Sequence, residues 1–525
     1  LPHLPAYTPA LEAIDTVNVV TNSFDAEQGF AGGVAVNVQL KSGTNEIHGS
    51  AFEFHNSNAT KARPFFLPST EGKPKNILNQ YGGTFGGPLV ANKLFYFLSY
   101  DGTRNRQFAS RLETVPTPAI RAGDLSESPT PVYHPPTRAV HGSGRTAFPG
   151  NRIPASRLEP IVTQKLLPLL PQPTFSGLTA NLFAGGPYLL DVDKADMKLN
   201  WNPSSRLSLF GRGGLINHRV FSSSILGELI GISVSTVAGT AGPMYGNTGN
   251  MAVGATYVLT PTFILDGNFG YTAYDANSIE PGLGKNIGTE VLGIPGTNGT
   301  RFFESGWPRF VVTNYASMGA ANNTTRPFFN RDPRYQYVGN ANWTRGNHSL
   351  RFGFDLSRQQ LNHTQAEFVG ATHGPAGGFS FTGGPTTIRN GPSSNQFNTF
   401  GTFLLGLPTT TGRTLQVPEE YNIRAWQDSL YVRDQWQATR RLTLSLGLRW
   451  EYFPVPRRVE RGLENYNPLT NKVEVCGVGA VPLDCGIHAS KRMFGPRFGV
   501  AWRATDTMVV RAGYGITNDP YSLAR

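Results

Sequence analysis

The chain has 525 residues, of which 15% are charged, and it contains 60 glycines, 39 prolines and 33 phenylalanines. A charged fraction well below the roughly 25% of soluble domains favours a β-rich protein with long loops over a helical enzyme. The net charge of +11 is spread without a lysine or arginine block, which argues against a nucleic-acid-binding groove. A chain of this length needs several soluble domains or one very large barrel, and it has no apolar run long enough for a transmembrane helix. Its start, LPHLPAYTPA, lacks the basic and apolar stretches of a signal peptide, so we expect an exported protein whose leader is removed or not included.

The N-terminal part of the chain predicts two short strands around a glycine-rich turn. Apolar residues alternate at positions 14–19 and again at positions 34–38. The turn between them contains Gly29, Gly32 and Gly33.

Three candidate barrel strands come next, at residues 46–56, 78–87 and 93–104, with the tight connection GPLVANK between the last two. A proline-rich region then extends over residues 107–190 and includes one short helical run, IVTQKLLPLLPQP. A connection of this length argues against a compact soluble domain, whereas long extracellular loops are normal in outer-membrane barrels. We therefore interpret the proline-rich region as a large surface loop.

Five hairpins recur along the rest of the chain, and their turns share an aromatic residue followed by a serine or threonine and then an apolar residue. Aromatic residues at one height beside every tight turn predict a girdle at one membrane interface. The segments between the hairpins are long and polar, so the pattern places all tight turns on one side and all long loops on the other. The hairpins span residues 196–217, 250–275, 335–361, 424–452 and 494–518; the loops span 218–248, 276–333, 362–422 and 454–492; the aromatic residues are Trp201, Tyr257, Trp343, Trp436 and Trp502.

The clearest strand alternates without interruption from Leu442 to Tyr452. Its leucines and aromatic residues point to one face, and polar residues, including Arg449, point to the other. Strands of a soluble β-sandwich also alternate apolar and polar residues, but that fold does not require an aromatic residue at the same end of every hairpin. We expect Leu446→Arg, on the predicted lipid face, to cost ~2–4 kcal/mol if it lies near the midplane, and Ser445→Arg to be mild.

Several sequence segments, in the order in which they occur, resemble segments of one known protein family. The order IDTVNV, an acidic and glycine-containing loop, GGVAVNVQLKSGTN and then HGSAFEFHN is similar to the end of the plug and the first barrel strand of TonB-dependent outer-membrane receptors. KSGTNEIHGSAFEF looks most like the Oar-like branch of that family, and the large loop resembles the first loop of that branch. The resemblance implies a barrel with an N-terminal plug, and ligand uptake that is energised through the TonB-ExbB-ExbD complex.

Cys476 and Cys485 are the only two cysteines, nine residues apart in CGVGAVPLDC. Without a nearby histidine or further cysteine, the two thiols supply only two of the roughly four ligands that a structural zinc site needs. A disulfide that closes a small loop in an oxidising compartment is the interpretation that we prefer.

Other clusters of residues could bind a ligand or act in catalysis, or they could have only a structural role. Asp191, Asp193 and Asp196 could bind Ca²⁺, but the glycine and the bidentate glutamate of an EF-hand loop are absent, so an acidic strand entrance is preferred. The motifs HGSGR, at 141–145, and GRGG, at 211–214, lack the context of a nucleophile or a phosphate-binding loop. Arginine and aromatic residues of the long loops could bind a ligand or pack the loops over the barrel mouth, and both interpretations stay open. They are Phe302, Phe303, Trp307, Arg309, Arg326, Phe328 and Phe329.

The sequence thus predicts an all-β protein, a large antiparallel transmembrane β-barrel with about 13 strands present. Single-chain bacterial barrels have even strand numbers, so we expect the barrel to be incomplete. Residues 1–45 are predicted to be the last part of a plug domain, and residues 46–525 the barrel, truncated before closure. No enzyme activity and no cofactor are predicted.

We expect a receptor and transporter in the outer membrane of a Gram-negative bacterium, in contact with lipid. The expected partners are the TonB-ExbB-ExbD complex, reached through an N-terminal region absent from this chain, and an oligosaccharide, peptide or metal chelate as ligand, but no nucleic acid. The alternatives are a surface adhesin or assembly protein on the same barrel, and a soluble multidomain β protein that binds or cleaves sugars.

Overall fold

Alternating apolar and polar residues give the protein its dominant secondary structure, because the pleat of a strand projects successive side chains to opposite faces. The computed structural model describes residues 7–520 except 21–24, 31–33, 64–71, 136–143, 237–240, 321–326, 366–372, 389–394 and 417–419. In chain order the strands are β1 (Ile14–Val20), β2 (Ala35–Leu40), β3 (His48–Ser57), β4 (Asn76–Val90), β5 (Leu94–Glu113), β6 (Leu182–Ser204), β7 (Leu207–Ser222), β8 (Gly242–Thr260), β9 (Phe263–Ser278), β10 (Arg309–Val312), β11 (Phe328–Arg345), β12 (His348–Gln365), β13 (Gly378–Phe381), β14 (Thr410–Gly412), β15 (Tyr421–Thr439), β16 (Leu442–Tyr452), β17 (Arg457–Arg458), β18 (Glu464–Asn467), β19 (Lys472–Val475), β20 (Met493–Arg503) and β21 (Val509–Gly515).

Helices are short and lie in the connections. The α-helices are α1 (Pro118–Arg121) and α2 (Gln396–Leu404), and the predicted helical run forms a π-helical turn at Ile161–Leu166 followed by a 3-10 turn at Leu167–Leu169. A second π-helical turn spans Ile287–Leu292, and further 3-10 turns span Leu11–Ala13, Pro149–Asn151, Ala155–Arg157, Gly227–Leu229, Phe302–Glu304 and Gly384–Thr386.

Thirteen strands form one continuous sheet in which neighbouring strands pair antiparallel. Their order follows the chain, β3-β4-β5-β6-β7-β8-β9-β11-β12-β15-β16-β20-β21, and the two-residue β17 pairs with β15 beside it. An up-and-down antiparallel order of long strands is that of outer-membrane barrels. The predicted all-β class and the predicted number of barrel strands are both confirmed.

The tight turns fall where the sequence predicts them, all at one edge of the sheet. Strands β6 and β7, β8 and β9, β11 and β12, and β15 and β16 are each joined by two residues. The turn aromatics Trp201, Tyr257 and Trp502 face outward and are 48%, 39% and 50% exposed. The aromatic girdle beside the turns is therefore present.

The predicted limits of the first four long loops are too wide, whereas those of the last, 454–492, agree with the structure to within one residue. Strand β5 continues to Glu113 and β6 begins at Leu182, so the first long loop spans residues 114–181 instead of 107–190. The strands that flank the next three loops also extend a few residues further than predicted. Beyond the lipid belt neither face of a strand contacts hydrocarbon, so the side chains no longer need to alternate between apolar and polar. The backbone hydrogen bonds between the strands nevertheless continue, and the strands are therefore longer than the sequence pattern indicates.

Strands β15 and β16 separate a lipid-facing surface from an inner surface. Leu430, Leu446 and Leu448 lie on the outer face, where they are 54%, 41% and 42% exposed and available for contact with lipid. On the opposite face Arg449 and Glu451 are 0% and 2% exposed. The predicted orientation of this strand pair is confirmed.

Tryptophans mark both ends of the apolar belt on β15. Ten residues separate Trp426 from Trp436, and both project to the outer face. At ~3.3 Å per residue and a tilt of about 40°, this stretch spans about 25 Å of membrane, the height of the apolar band of such barrels. Leu448, which pairs with Val432, lies near the middle of the belt.

Leu448→Arg is expected to destabilise the inserted protein by ~2–4 kcal/mol, because it places a charge at the bilayer midplane. Leu446→Arg should cost less, because Asp434 lies directly opposite Leu446 on β15 and can pair with the new cation. The measurement is a urea titration of the protein folded into vesicles. Ser445→Arg, on the inner face of the same strand, is the matched control and should change stability little. Equal losses for Leu448→Arg and Ser445→Arg would contradict the assignment of the two faces.

The first four of the five long loops fold together into one unit on the extracellular side, which we call the cap. It comprises the described residues within 114–181, 223–241, 279–327 and 366–420. Its hydrophobic core takes fully buried side chains from all four loops, among them Leu125, Leu229, Val312 and Phe403. The cap is thus a packed unit and not four independent loops.

Helix α2 and a small sheet form the centre of the cap. The side chain of Asn395 accepts a hydrogen bond from the amide of Phe397 at 2.8 Å and so caps the helix, whose residues 397–404 are all buried. Strand β13 pairs in parallel with β10 and antiparallel with β14. The sheet therefore joins the third loop to the fourth.

Candidate functional site: the inner face and the N-terminal segment

Parts of the chain before the first barrel strand, at residues 7–13, 25–30 and 40, contact the inner, polar face of the sheet, whereas the strands β1 and β2 between them are largely exposed. The two short strands that the sequence predicts are β1 and β2, and they pair antiparallel with Val17 opposite Val38. Ala10, Ala13 and Leu40 form a small buried cluster with Phe97 of β5. We call the described residues 7–20, 25–30 and 34–45 the N-terminal segment.

One end of the N-terminal segment is held by Asp196 of β6. The hydroxyl of Tyr7 donates to this carboxylate, and so does the amide of Ala10, at 3.3 Å. Ser99 of β5 donates to it as well, at 3.1 Å. A side chain at Gly214 of β7 would collide with the Tyr7 hydroxyl, so the glycine in the GRGG motif provides room for this contact.

The other end is held by Arg449 and Glu451 of β16, an ion pair with its Nε and Oε1 atoms 2.8 Å apart. Arg449 also donates to the carbonyl oxygens of Ala26 and Glu27, both at 3.3 Å. Glu451 accepts from the amide of Phe30 at 3.1 Å, and the Phe30 ring lies 5.0 Å from the Arg449 guanidinium. A buried ion pair of the barrel wall therefore binds the backbone of residues 26–30.

Two further ion pairs join this part of the segment to neighbouring strands. Asp25 pairs with Arg433 of β15, and Glu27 pairs with Arg351 of β12 at 2.5 Å. Arg351 in turn pairs with Asp266 of β9 at 3.1 Å. The Asp25 and Glu27 side chains remain 31% and 35% exposed. Partly solvated pairs contribute only about 0–1 kcal/mol each, so they can exchange with water when the segment moves.

Close approach at this end depends on glycines in both partners. A Cβ on Gly447 of β16 would lie 2.9 Å from the Cβ of Ala26, and a side chain at Gly29 would collide with Arg449. The sequence predicts Arg449 on the polar face of its strand and Gly29 in a turn. The contact between them is not predictable, because two elements more than 400 residues apart leave no local signal in the sequence.

Most of the loop residues proposed from the sequence as ligand anchors are buried in or beside the cap. Phe303, Trp307, Arg309 and Phe328 are 2%, 7%, 1% and 9% exposed, whereas Phe302 is 58% exposed. The Phe302 ring lies 6.2 Å from that of Phe329. Arg326 lies outside the described residues. For the four buried residues the structure thus gives a packing role, which was the alternative interpretation.

Charged groups inside the cap are paired or desolvated. Burial raises the pKa of Glu304, but hydrogen bonds from Arg301, the shorter at 2.7 Å, outweigh it and hold that pKa below its ordinary value. Arg301 also donates to the carbonyl oxygen of Gln416, which ties the third loop to the fourth. Burial lowers the pKa of the Arg309 guanidinium to about 10.

The three aspartates considered for Ca²⁺ do not converge. Asp191 and Asp193 project to the outer face, where they pair with Arg106 at 2.6 Å and Arg104 at 2.7 Å, whereas Asp196 projects inward. Within the described part of the chain no three acidic, histidine or cysteine side chains are grouped as metal ligands. GRGG lies inside β7, as predicted, and residues 141–143 of HGSGR lie outside the described residues.

Cys476 and Cys485 are joined in the structure, with their Cα atoms 5.0 Å apart in the loop before β20. We expect the disulfide in the exported protein. Alkylation of the unfolded but unreduced protein should then add no mass, and alkylation after reduction should add two groups. One or two groups added before reduction would contradict the pairing.

No helix among the described residues is both long enough and apolar enough to cross a membrane. The long antiparallel sheet, its lipid-facing belt and its aromatic girdle define an outer-membrane β-barrel protein. Residues 39–525 match the family described as outer membrane beta barrel domain, and the chain belongs to that family. It is accordingly an outer-membrane protein of a Gram-negative bacterium, as the sequence predicts.

The chain is 22% identical over 495 residues to the TonB-dependent transporter Oar of Myxococcus xanthus, across 84% of this chain and 40% of that protein. The outer-membrane transporter YddB of Escherichia coli has a similar fold, with a TM-score of 0.49, 11% identity and coverage of 97% of this chain and 48% of that one. The siderophore receptor PirA of Acinetobacter baumannii follows, with a TM-score of 0.43, 13% identity and coverage of 96% and 48%. The chain thus spans half or less of these relatives, which are transporters or receptors and not enzymes.

Proposed function

We propose that this chain is part of a TonB-dependent transporter that takes up an extracellular ligand across the outer membrane. In this proposal residues 1–45 are the end of the plug domain, and residues 46–525 belong to the barrel. One observation carries the proposal: the N-terminal segment contacts the inner face and is held there by side chains of five barrel strands, by packing on Phe97 of β5 and by polar contacts with β6, β12, β15 and β16. The expected partner is the TonB-ExbB-ExbD complex.

The contacts suit a segment that is stable at rest and released under force. The Asp25 and Glu27 pairs are partly hydrated and weak. Release must also expose the buried Arg449 and Glu451, which lose their contacts with residues 26–30. We propose that this larger cost keeps the path closed until energy is supplied from the inner membrane.

A reversible cross-link tests the proposal on the complete protein in cells. Cysteines at positions 26 and 447 would stand close enough for a disulfide after a small adjustment. The probes are ferric enterobactin, maltohexaose and an oligopeptide, one for each ligand class. We expect at least one probe to accumulate with the wild-type protein, and a protonophore to abolish its accumulation. The oxidised double-cysteine variant should be inactive and should recover with reductant.

The wild-type protein with and without reductant is the control for the native cysteines. Accumulation that survives the protonophore, or that the cross-link does not block, would contradict energised transport through movement of the segment.

A second candidate, adhesion to another cell or to a matrix, is favoured by the cap. Its shared hydrophobic core gives the protein a preformed extracellular surface. An adhesin would promote cell attachment that is insensitive to a protonophore and to the 26–447 cross-link, so the same variant distinguishes the two functions.

A further inference from the structure

Basic side chains converge on the lipid-facing side of β12, β15 and β17, at the extracellular end of the apolar belt. Arg358 of β12 lies directly opposite Trp426 of β15, and Arg424 of β15 lies directly opposite Arg457 of β17. Residues directly opposite each other in an antiparallel pair project to the same face. That face is the one that carries the exposed Leu430.

The height of these cations corresponds to the headgroups of the outer leaflet. Trp426 stands about 25 Å above Trp436, at the upper limit of the apolar band. Arg424 lies two residues beyond Trp426 on the same face. Below Trp426 the same face continues with Asp428 and then with Leu430 and Val432 toward the midplane. A lipid whose chains pack on these residues would have its headgroup beside the arginines.

Aromatic rings form one wall of the site. The Arg358 guanidinium lies 5.6 Å from the centre of the Trp426 ring, and the Lys491 ammonium lies 6.0 Å from that of Tyr452. Tyr452 stacks on Trp450, whose indole N–H donates to the carbonyl oxygen of Lys491 at 2.9 Å. Between them is a crevice of about 690 Å³, whose lining includes Arg424, Trp426, Tyr452, Arg457, His488 and Lys491.

Described carboxylates offset the positive charge of this crevice only in part. Glu420 interacts electrostatically with Arg424 without forming an ion pair, and Asp428 lies on the same outer face, directly opposite Tyr452. Arg358, Arg424, Arg457 and Lys491 form no ion pair with any described carboxylate, and Nε of Arg358 is buried without a described acceptor. The carboxylate in the crevice lining, that of Asp484, pairs with His488 at 3.4 Å.

A second group of outward arginines provides an internal comparison. Arg104 and Arg106 also lie on the outer face near the extracellular end of their strand, and both are neutralised by aspartates of β6. Arginines at this height therefore form ion pairs on β5, whereas those on β12, β15 and β17 form none with a described carboxylate; Arg424 donates instead to the side-chain oxygen of Asn362 at 2.8 Å.

We propose that this crevice binds the phosphorylated headgroup of an outer-leaflet glycolipid. Guanidinium groups bind phosphate oxygens through paired N–H donors, and basic pockets at the membrane surface select anionic headgroups. Arg358, Arg424 and Arg457 bind the phosphate, Lys491 adds a further positive charge, and the acyl chains lie along Leu430 and Val432. The proposal does not depend on transport.

Native mass spectrometry of the protein purified in detergent tests the site, with bis-phosphorylated lipid A and the same lipid after removal of its phosphates as probes. The wild-type protein should bind the phosphorylated form at least tenfold more tightly. The triple variant Arg358→Gln, Arg424→Gln and Arg457→Gln should lose that preference. A matched variant, with Arg440→Gln, Arg441→Gln and Arg503→Gln at the tight-turn end, should keep it.

Heat-modifiable migration in electrophoresis verifies that each variant is folded. If the triple variant fails to fold, the single variant Arg457→Gln replaces it, because Arg457 is exposed. This single change is expected to weaken the preference for the phosphorylated lipid severalfold. Equal binding of the two lipids by the wild-type protein, or an unchanged preference in the folded variants, would overturn the proposal. Displacement of the lipid by an equal concentration of inorganic phosphate would assign the site to the free anion instead.

Discussion

Replacing Arg449 by methionine is expected to lower the free energy of unfolding of the protein by about 3–5 kcal/mol and to free residues 25–30 from the inner face. Arg449 is fully buried and pairs with Glu451 at 2.8 Å. Removing one member of a buried ion pair leaves the other charge desolvated, which costs about that much. The same change removes the donors to Ala26 and Glu27. Urea titration measures the stability, and hydrogen exchange measures protection of residues 25–30.

The double variant Arg449→Met, Glu451→Leu separates the two effects. With neither charge of the Arg449–Glu451 pair left buried, stability should recover most of the loss. Protection of residues 25–30 should not recover, because neither the donors to their carbonyl groups nor the acceptor for Phe30 is restored. The matched control is Arg334→Met, an inner-face arginine of β11 whose described hydrogen bond is to Ser357 of β12 at 3.0 Å, and it should leave the protection of residues 25–30 unchanged. Full protection in the double variant would show that Arg449 does not hold the segment.

Phe403→Ala is expected to destabilise the cap by about 3–5 kcal/mol, the usual cost of removing a buried phenylalanine from a packed core. Phe403 is 0% exposed at the centre of the cap. Its ring lies 5.1 Å from that of Phe381, edge to face, and 5.4 Å from that of Phe400. Hydrogen exchange of the amides in α2 and β13 reports the opening free energy of the cap directly.

Phe302→Ala is the matched control, because Phe302 belongs to the same cap but is 58% exposed. A surface substitution of this kind should change the opening free energy by less than about 0.5 kcal/mol. If Phe403→Ala also left exchange unchanged, the four loops would open independently, and the cap would not be one folded unit.

The membrane part of the fold was predictable because it depends on local repetition. Each strand of the belt must alternate lipid-facing and inner side chains, so Leu442–Tyr452 and the turn aromatics identify strands, turns and orientation from sequence alone. The predicted strand ends failed where this constraint ends. Glu113 of β5 and Leu182 of β6 still pair, but above the hydrocarbon layer the strands contact no lipid, so their residues need not alternate between apolar and polar.

The cap and the inner-face contacts were not predictable for a different reason. The core residues Leu125, Leu229 and Phe403 come from loops that are far apart in the chain, and each looks like an isolated apolar residue in polar surroundings. Helix α2, QFNTFGTFL, contains glycine, threonine and phenylalanine, which are modest helix formers, and it is stabilised by burial on all sides. Likewise, no periodicity in the sequence indicates that Arg449 contacts Ala26.

The cap also has a consequence for the order in which the protein is assembled. Its core joins residues from Val115 to Leu405, a separation of almost 300 positions, while most contacts of the sheet are between adjacent hairpins. Closing contacts of such high sequence separation is slow and must wait until every contributing segment has arrived. The loops after β5, β7 and β9 have therefore to cross the bilayer before the loop after β12 can complete the core. We expect strand insertion to precede cap closure, so that the cap closes as the last step on the cell surface.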